Sequence, residues 1–319
     1  MLVEHIKSIF IGLMLAVSLG ACSEEPQSPM RVGTNVWPGY EPAYLAQDLG
    51  YFNTQQVRLS QFQSASESIR AFRNNAVDVV ALTLDEALLL IQDGIDIKVF
   101  LVADISDGGD VIVSRSDIQN VAELRGRKVG VESSALGAYV LARALEIYNV
   151  PFGDVKLVHL TVDDSEKAFF DGSVDAVVTF EPYRSRLLRD GANEIFTSRE
   201  MPNEIVDVLV VRSEFAAKNE VNLKVLSQGW FKAVSFIKGE PQKASKLIGA
   251  RLDLSPEEAI SSFEGLTLPD GAMNASLLAK GTPISLSNGA LKLEKVLVKH
   301  GLLNSHVSMT GIFTDAYVR

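Results

Sequence analysis

The chain contains a single cysteine, Cys22, among its 319 residues. One cysteine cannot form an intramolecular disulfide, so the stability of the folded chain has to come from packing. Histidine is also scarce, and His5, His159, His300 and His306 lack the close spacing that metal-binding motifs show. The sequence therefore gives no reason to expect a structural disulfide or a metal site.

Motifs for cofactors and covalent catalysis are missing too. The sequence has no G-x-x-x-x-G-K-[ST] or G-x-G-x-x-G for a nucleotide, and no G-x-S-x-G nucleophile elbow. A formal net charge of −10 argues against binding nucleic acid through its phosphates. Acidic residues occur in predicted loops, but carboxylates without a pairing geometry do not indicate acid–base catalysis. The absence of these motifs predicts a binding protein with no cofactor and no catalytic residues.

The amino terminus has the pattern of an export signal. Residues 9–19 are apolar but too short to span a bilayer, and Leu19-Gly20-Ala21-Cys22 resembles the bacterial lipobox. We therefore predict a lipoprotein signal peptide over residues 1–21, lipidation of Cys22, and a polar tether over residues 22–30. The alternative is an ordinary secretory signal followed by a chance cysteine. Lipidation would hold the chain outside the cytoplasm, anchored to a bacterial membrane.

The segment from Arg31 to Phe52 predicts a strand, an aromatic loop and a helix. Its first residues alternate in polarity, Trp37-Pro38-Gly39-Tyr40 breaks that pattern, and a helix follows from Glu41. In open α/β sheets such a turn lies at the carboxyl edge of the strands, where ligands bind. We expect Trp37 and Tyr40 to form a wall for a small molecule. The alternative is that both rings only plug the end of the sheet.

The second part of the chain repeats the first at a constant offset of 97 residues. Lys128-Val129-Gly130 matches Arg31-Val32-Gly33, and residues 110–118 (DVIVSRSDI) match residues 207–215 (DVLVVRSEF). One offset shared by several stretches indicates a structural repeat. The pattern predicts an α/β protein of two βαβ-rich lobes, each with a parallel sheet, followed by a helical region after residue 215.

Loops at the predicted strand ends supply the candidate binding side chains. Several of these loops lead into helix amino termini, whose free N–H groups can hold polar ligand atoms, and a cleft between two lobes suits hinge closure. The predicted ligand-binding residues are Trp37, Tyr40, Ser64, Ser66, Thr83, Asp85, Glu132, Ser133 and Glu181.

An ordered set of motifs carries a family resemblance. WPGYEPAYLAQDLGYF, the capped SAS helix start, VDVVALT, SDGGDVIVSRSDI, LRGRKVGVESS and VDAVVTFEP together resemble the periplasmic substrate-binding proteins of the nitrate/sulfonate/taurine (NMT1/THI5-like) ABC importer family. The resemblance covers about residues 31–215. It implies the type II two-lobed fold with an interlobe cleft, delivery of a small solute to an ABC permease, no catalysis, and a monomer.

The same resemblance implies a division of the chain. Segments 110–118 and 207–215 would be the strands that cross between the lobes near the hinge. Lobe 1 would then comprise residues 31–109 and 211–319, and lobe 2 residues 110–210.

The sequence leaves the ligand open between sulfonate-, amine- and pyrimidine-like molecules. Ser133, Ser134 and helix amides could hold an anion, but the chosen loops carry several carboxylates, with Arg184 the only cation close to them. Carboxylates would repel an anion, so a ligand with a cationic or N–H-donating part, such as an amino-sulfonate or an aminopyrimidine, fits better. Two other functions stay open: a sensor subunit that signals to a membrane partner, and a pyrimidine-forming enzyme, whose histidine and cysteine-rich motif is not visible here.

Overall fold

The computed structural model describes residues 28–132 and 134–319 of the chain. The predicted signal peptide, Cys22, most of the predicted tether and Ser133 lie outside the described residues. Within them, the structure contains no helix with both the length and the apolar character needed to cross a membrane.

The described strands form two mixed sheets. The first contains β1 (Met30–Asn35), β2 (Val57–Phe62), β3 (Val79–Thr83), β4 (Ile97–Ser106), β10 (Val206–Arg212) and β11 (Leu266–Thr267), in the order β11-β4-β10-β3-β1-β2. The second contains β5 (Val111–Ser114), β6 (Lys128–Glu132), β7 (Lys156–Leu160), β8 (Ala176–Thr179) and β9 (Asn193–Thr197), in the order β7-β6-β8-β5-β9. Leaving aside the two-residue β11, both sheets have the same strand arrangement: read from the other end, the first sheet is β2-β1-β3-β10-β4, which corresponds strand by strand to β7-β6-β8-β5-β9.

The prediction of purely parallel sheets is wrong at one strand in each lobe. β10 runs antiparallel to β3 and β4, and β5 runs antiparallel to β8 and β9. Each of these strands arrives from the other sheet over a connection too short for a crossover helix, so it is not held to the parallel direction. Each of the two segments matched at the 97-residue offset thus leaves the sheet that precedes it in the chain: β5 follows β4 but joins the second sheet, and β10 follows β9 but joins the first, so the two strands are exchanged between the sheets.

This exchange also bears on the division into lobes. Residue 210, the predicted end of lobe 2, falls inside β10, and the residues of that strand pair with β3 and β4 of the first sheet. We propose that the boundary lies before Val206.

Helices pack against the central strands of the sheets. Around the strands lie α1 (Glu41–Asp48), α2 (Ala65–Arg73), α3 (Leu84–Gln92), α4 (Ala135–Ile147), α5 (Val162–Phe170), α6 (Tyr183–Arg189) and α7 (Ser213–Ala216). The central strands β3 and β8 are buried along their whole length, which explains their continuous apolar sequences.

The carboxyl-terminal region is helical, as the sequence indicated. It contains α8 (Glu220–Gly239), α9 (Pro241–Leu252), α10 (Pro256–Glu264), α11 (Gly271–Leu278) and α12 (Leu286–Lys299). α10 starts with a capping box at Ser255, and Trp230 of α8 is fully buried in the core. The short α11, which opens with glycine, was not predicted.

Candidate functional site

A small cavity lies between the two sheets, at the carboxyl ends of β1, β3, β6 and β8. Its volume is about 30 Å³, and its walls come from both sheets and from the first turns of α2, α4 and α5. This position matches the general rule that ligands of open α/β sheets bind beyond the carboxyl ends of the strands.

The aromatic loop after β1 forms one wall of the cavity. Trp37 and Tyr40 both line it and both are buried. The Trp37 ring lies perpendicular to the Phe180 ring of the other lobe, at a centroid distance of 5.3 Å. Trp37 Nε1 donates to Asp104 Oδ2 at 2.9 Å, and the Tyr40 hydroxyl donates to Asp207 Oδ1. The loop passes so close to Asp104 that a Cβ atom on Gly39 would clash with the Asp104 carboxylate. The structure thus places both predicted rings at the cavity and fixes their polar atoms on buried acids.

Four carboxylates line the same cavity, two from each side. Glu86 in the first turn of α3 and Asp207 in β10 belong to the first sheet, whereas Asp110 just before β5 and Glu132 at the end of β6 belong to the second. Glu132 Oε1 also accepts a hydrogen bond of 3.0 Å from the backbone N–H of Ser66, in the first turn of α2. This bond joins the two lobes directly across the cavity.

The four acids share a low-polarity environment that disfavours their charged forms. Burial raises the pKa of Asp110 to about 7, and burial together with the nearby Asp85 and Glu132 carboxylates raises the pKa of Glu86. Burial is also the main cause that raises the pKa of Asp207 and of Glu132. The cavity is therefore prepared for a partner that supplies positive charge or hydrogen-bond donors.

Five of the predicted site residues do not line the cavity. Ser64 is the N-cap of α2, its Oγ accepting from the Glu67 N–H at 3.3 Å, and Ser66 contributes its backbone N–H to Glu132. Thr83 is likewise an N-cap, whose backbone N–H donates to Glu86 Oε2 at 3.1 Å.

The other two are Asp85, which is buried, and Glu181. The Glu181 carboxylate accepts from Arg184 Nη1 and from Ser185 Oγ, each at 3.0 Å, at the start of α6. Of the residues predicted from the sequence, Trp37, Tyr40 and Glu132 line the cavity; their role in binding stays a prediction.

The sequence reasoning missed Glu86, Asp104, Asp110 and Asp207. A signal for two of them was present, because Asp110 and Asp207 occupy the same position in the 97-residue repeat and each stands at the start of an exchanged strand. Because Asp110 and Asp207 hold equivalent positions in two lobes that face each other, both reach the same cavity. Asp104 gave no such signal, since it lies inside β4 and outside the segments that the repeat matches.

We expect Trp37→Ala to weaken solute binding by about 1–3 kcal/mol, because it removes an aromatic wall. The same substitution removes the hydrogen bond that the Trp37 indole donates to Asp104. We expect the loss of this bond to lower the free energy of unfolding by about 1–3 kcal/mol, an effect that the sequence alone did not predict. Calorimetry with the tightest-binding solute of the screen described below measures the first effect and urea unfolding the second. Trp230→Phe, a change in the distant core, is the matched control and should leave the affinity unchanged. Unchanged affinity in Trp37→Ala would place the binding site elsewhere.

Two α/β lobes of one plan, linked by exchanged strands and closed around a cavity, define the two-lobed type II periplasmic-binding-protein fold. The chain belongs to the NMT1-like family, which it matches over residues 23–251. Both the fold class and the family predicted from the sequence are confirmed.

Two curated relatives carry names that assign aliphatic sulfonates to them. One, from Escherichia coli K12, is 25% identical over 153 residues, which are 48% of this chain and 48% of that protein. The other, from Bacillus subtilis 168, is 25% identical over 245 residues, 74% of this chain and 73% of that protein. The first match thus spans about half the length of the relative.

Solved structures show the same fold. The alkanesulfonate-binding protein from Xanthomonas axonopodis pv. citri, bound to MOPS, superposes with a TM-score of 0.76 at 15% identity, covering 89% of this chain and 96% of that one. A desulfurization enzyme superposes with a TM-score of 0.62 at 16% identity, covering 91% of this chain and 97% of that one. The fold alone is therefore compatible with both binding and catalysis.

Proposed function

We propose that this chain is an extracytoplasmic solute-binding protein that captures a small polar molecule between its lobes and delivers it to an ABC import permease. The observation that carries the proposal is the buried cavity whose walls come from both lobes. A site divided in this way binds its solute by closing around it and releases it when the lobes separate. The sulfonate-binding names of the relatives support the transport role.

The remaining parts of the proposal concern location and assembly. The lipobox-like sequence around Cys22 supports export and a lipid anchor on the bacterial membrane. Family analogy supports a monomer that acts with a permease in that membrane. We further propose that the bound solute is released unchanged, because the predicted role requires no catalytic step.

A screen of thermal stability tests this function. A solute that binds only the native state at about 100 times its Kd should stabilise the chain by about 2.7 kcal/mol and raise its melting temperature by several degrees. Equilibrium dialysis followed by mass spectrometry should then recover the solute intact. Chemical conversion of the solute by the purified chain would contradict the proposal and favour an enzyme.

A further inference from the structure

The cavity between the lobes has an unbalanced charge. Glu86, Asp110, Glu132 and Asp207 line it, and no lysine, arginine or histidine is found among the described residues that do so. Arg184, the one cation that the sequence suggested for this region, is committed to Glu181 at 3.0 Å and to Glu194 at 2.6 Å. The carboxyl groups that face the cavity therefore have no cationic partner among these side chains.

Two of these carboxylates also leave an oxygen without a hydrogen-bond partner. Glu86 is 1% exposed and Asp110 is 2% exposed, and neither Oε1 of Glu86 nor Oδ2 of Asp110 has a partner in the part of the chain that the structure describes. An unsatisfied buried polar atom costs about 1–3 kcal/mol. Buried oxygens of this kind, in residues that line a cavity, indicate that a donor from outside the chain completes the site.

The shape of the site favours an organic cation over a bare metal ion. Across residues 28–132 and 134–319, no three histidine, cysteine, aspartate or glutamate side chains are grouped closely enough to hold a metal. The four acids instead surround a space of about 30 Å³, more than the roughly 10–15 Å³ that a cavity needs to hold one water molecule and thus large enough for an ammonium group. Trp37, Tyr40 and Phe180, which line the cavity from the two lobes, are aromatic residues of the kind that attracts cations.

We propose that the solute is a small organic cation with several N–H donors, carried by an ammonium or amidinium group, and not an alkanesulfonate. The inference deepens the proposed function and rests on it. Glu86 and Asp110 accept hydrogen bonds from the cation, one from each lobe, so that the cation links the lobes and completes the closed cavity.

A sulfonate does not fit the same walls. It would bring three further acceptor oxygens to a cavity lined by acceptors. At pH 8, where Asp110 with its pKa of about 7 is ionised, it would also bring a second negative charge, and like charges at close range inside a protein repel each other by several kcal/mol. This chain thus differs in ligand class from the relatives named for sulfonates, whose identity to it is 25%.

The test is a binding comparison between matched small molecules at pH 8. Propylamine, agmatine and benzamidine represent the cations, propanesulfonate the anion, and taurine a molecule with both charges. We expect at least one cation to bind and raise the melting temperature, with propanesulfonate giving no shift. Glu86→Gln and Asp110→Asn, which keep the shape of the side chains, should each weaken that cation at least tenfold. Glu257→Gln, the same charge change at an exposed position of α10, should leave its affinity unchanged.

The outcomes separate this inference from the proposed function. Tight binding of propanesulfonate without binding of any cation would overturn the cation inference and leave the solute-binding role intact. Cation affinity that falls equally in Glu257→Gln and in the two cavity variants would show a general surface-charge effect and would also overturn it. Failure of all three cations to bind would overturn the cation inference, whereas the solute-binding role would be contradicted only if no solute of the thermal screen bound.

Discussion

The Arg251→Ala variant is expected to lose about 3–5 kcal/mol of unfolding free energy, because it leaves a buried carboxylate unpaired. Glu41 opens α1 directly behind the aromatic loop and is only 1% exposed. Arg251 of α9 reaches it with Nε and Nη2, each 2.8 Å from a carboxylate oxygen, while its guanidinium carbon lies 3.5 Å from the centroid of the Tyr44 ring. Burial already raises the pKa of Glu41, and this arginine is what opposes that shift.

Urea unfolding followed by circular dichroism measures the loss of unfolding free energy, and two further variants serve as controls. The double variant Glu41→Gln with Arg251→Met removes both charges and should recover most of the stability. Arg189→Ala breaks a more exposed pair with Glu258 and should cost less than about 1 kcal/mol. A loss below about 1 kcal/mol in Arg251→Ala would mean that the pair is not needed to stabilise α1.

The same ion pair explains how the carboxyl-terminal helices take part in the site. α1 follows the loop that carries Trp37 and Tyr40, so whatever holds α1 also holds the aromatic wall. Arg251 belongs to α9, far along the chain from that loop, and it fixes the position of α1 from behind. Solute affinity should therefore fall together with stability in Arg251→Ala and recover in the double variant.

Much of the fold could be read from local patterns and from the repeat. The strand, aromatic loop and helix after Arg31 appear as predicted because proline and glycine mark their limits clearly. The 97-residue offset correctly paired the segments that include β5 and β10. It could not give their antiparallel direction, since that direction depends on which sheet each strand enters after the hinge.

The site was predicted less completely, for a physical reason. A loop residue such as Ser64 is needed to cap a helix, and a capping residue has the same sequence signature as a ligand-binding loop residue. The acids that line the cavity meet only when the lobes face each other. Glu86 and Asp207 are distant in sequence, and no local pattern places them together.

The stability of the solute-free chain is expected to fall as the pH rises from about 5 to about 8. Burial raises the pKa of Asp110 from 3.8 to about 7, so the folded chain keeps a proton that the unfolded chain has released in this range. The stabilisation is fully present below the unfolded pKa and is lost as the pH passes the folded one. At 1.36 kcal/mol per unit, the part of this shift that lies between pH 5 and the folded pKa of about 7 makes Asp110 alone account for roughly 3 kcal/mol.

The neighbouring acids act in the same direction, because burial also raises their pKa values. They are Asp85, Glu86, Asp104, Glu132 and Asp207. Carboxylates whose pKa is lowered by ion pairs, such as Glu146 beside Lys299, lose their contribution only below about pH 5, outside this window. The partly buried His300, whose pKa burial lowers from 6.5, acts in the opposite direction within this window, so the slope between pH 5 and 8 reports on the buried acids with this histidine opposing them.

Urea unfolding at several pH values measures this slope. Asp110→Asn cannot ionise, so its stability should depend less on pH than that of the natural chain, whereas Glu257→Gln should keep the full slope. A bound cation supplies the charge that the cavity lacks, so its stabilising effect should be largest at pH 8, where the empty cavity is least stable. Stability that is constant or rises between pH 5 and 8 would show that these carboxylates are already compensated, and the electrostatic account of the cavity would then be wrong.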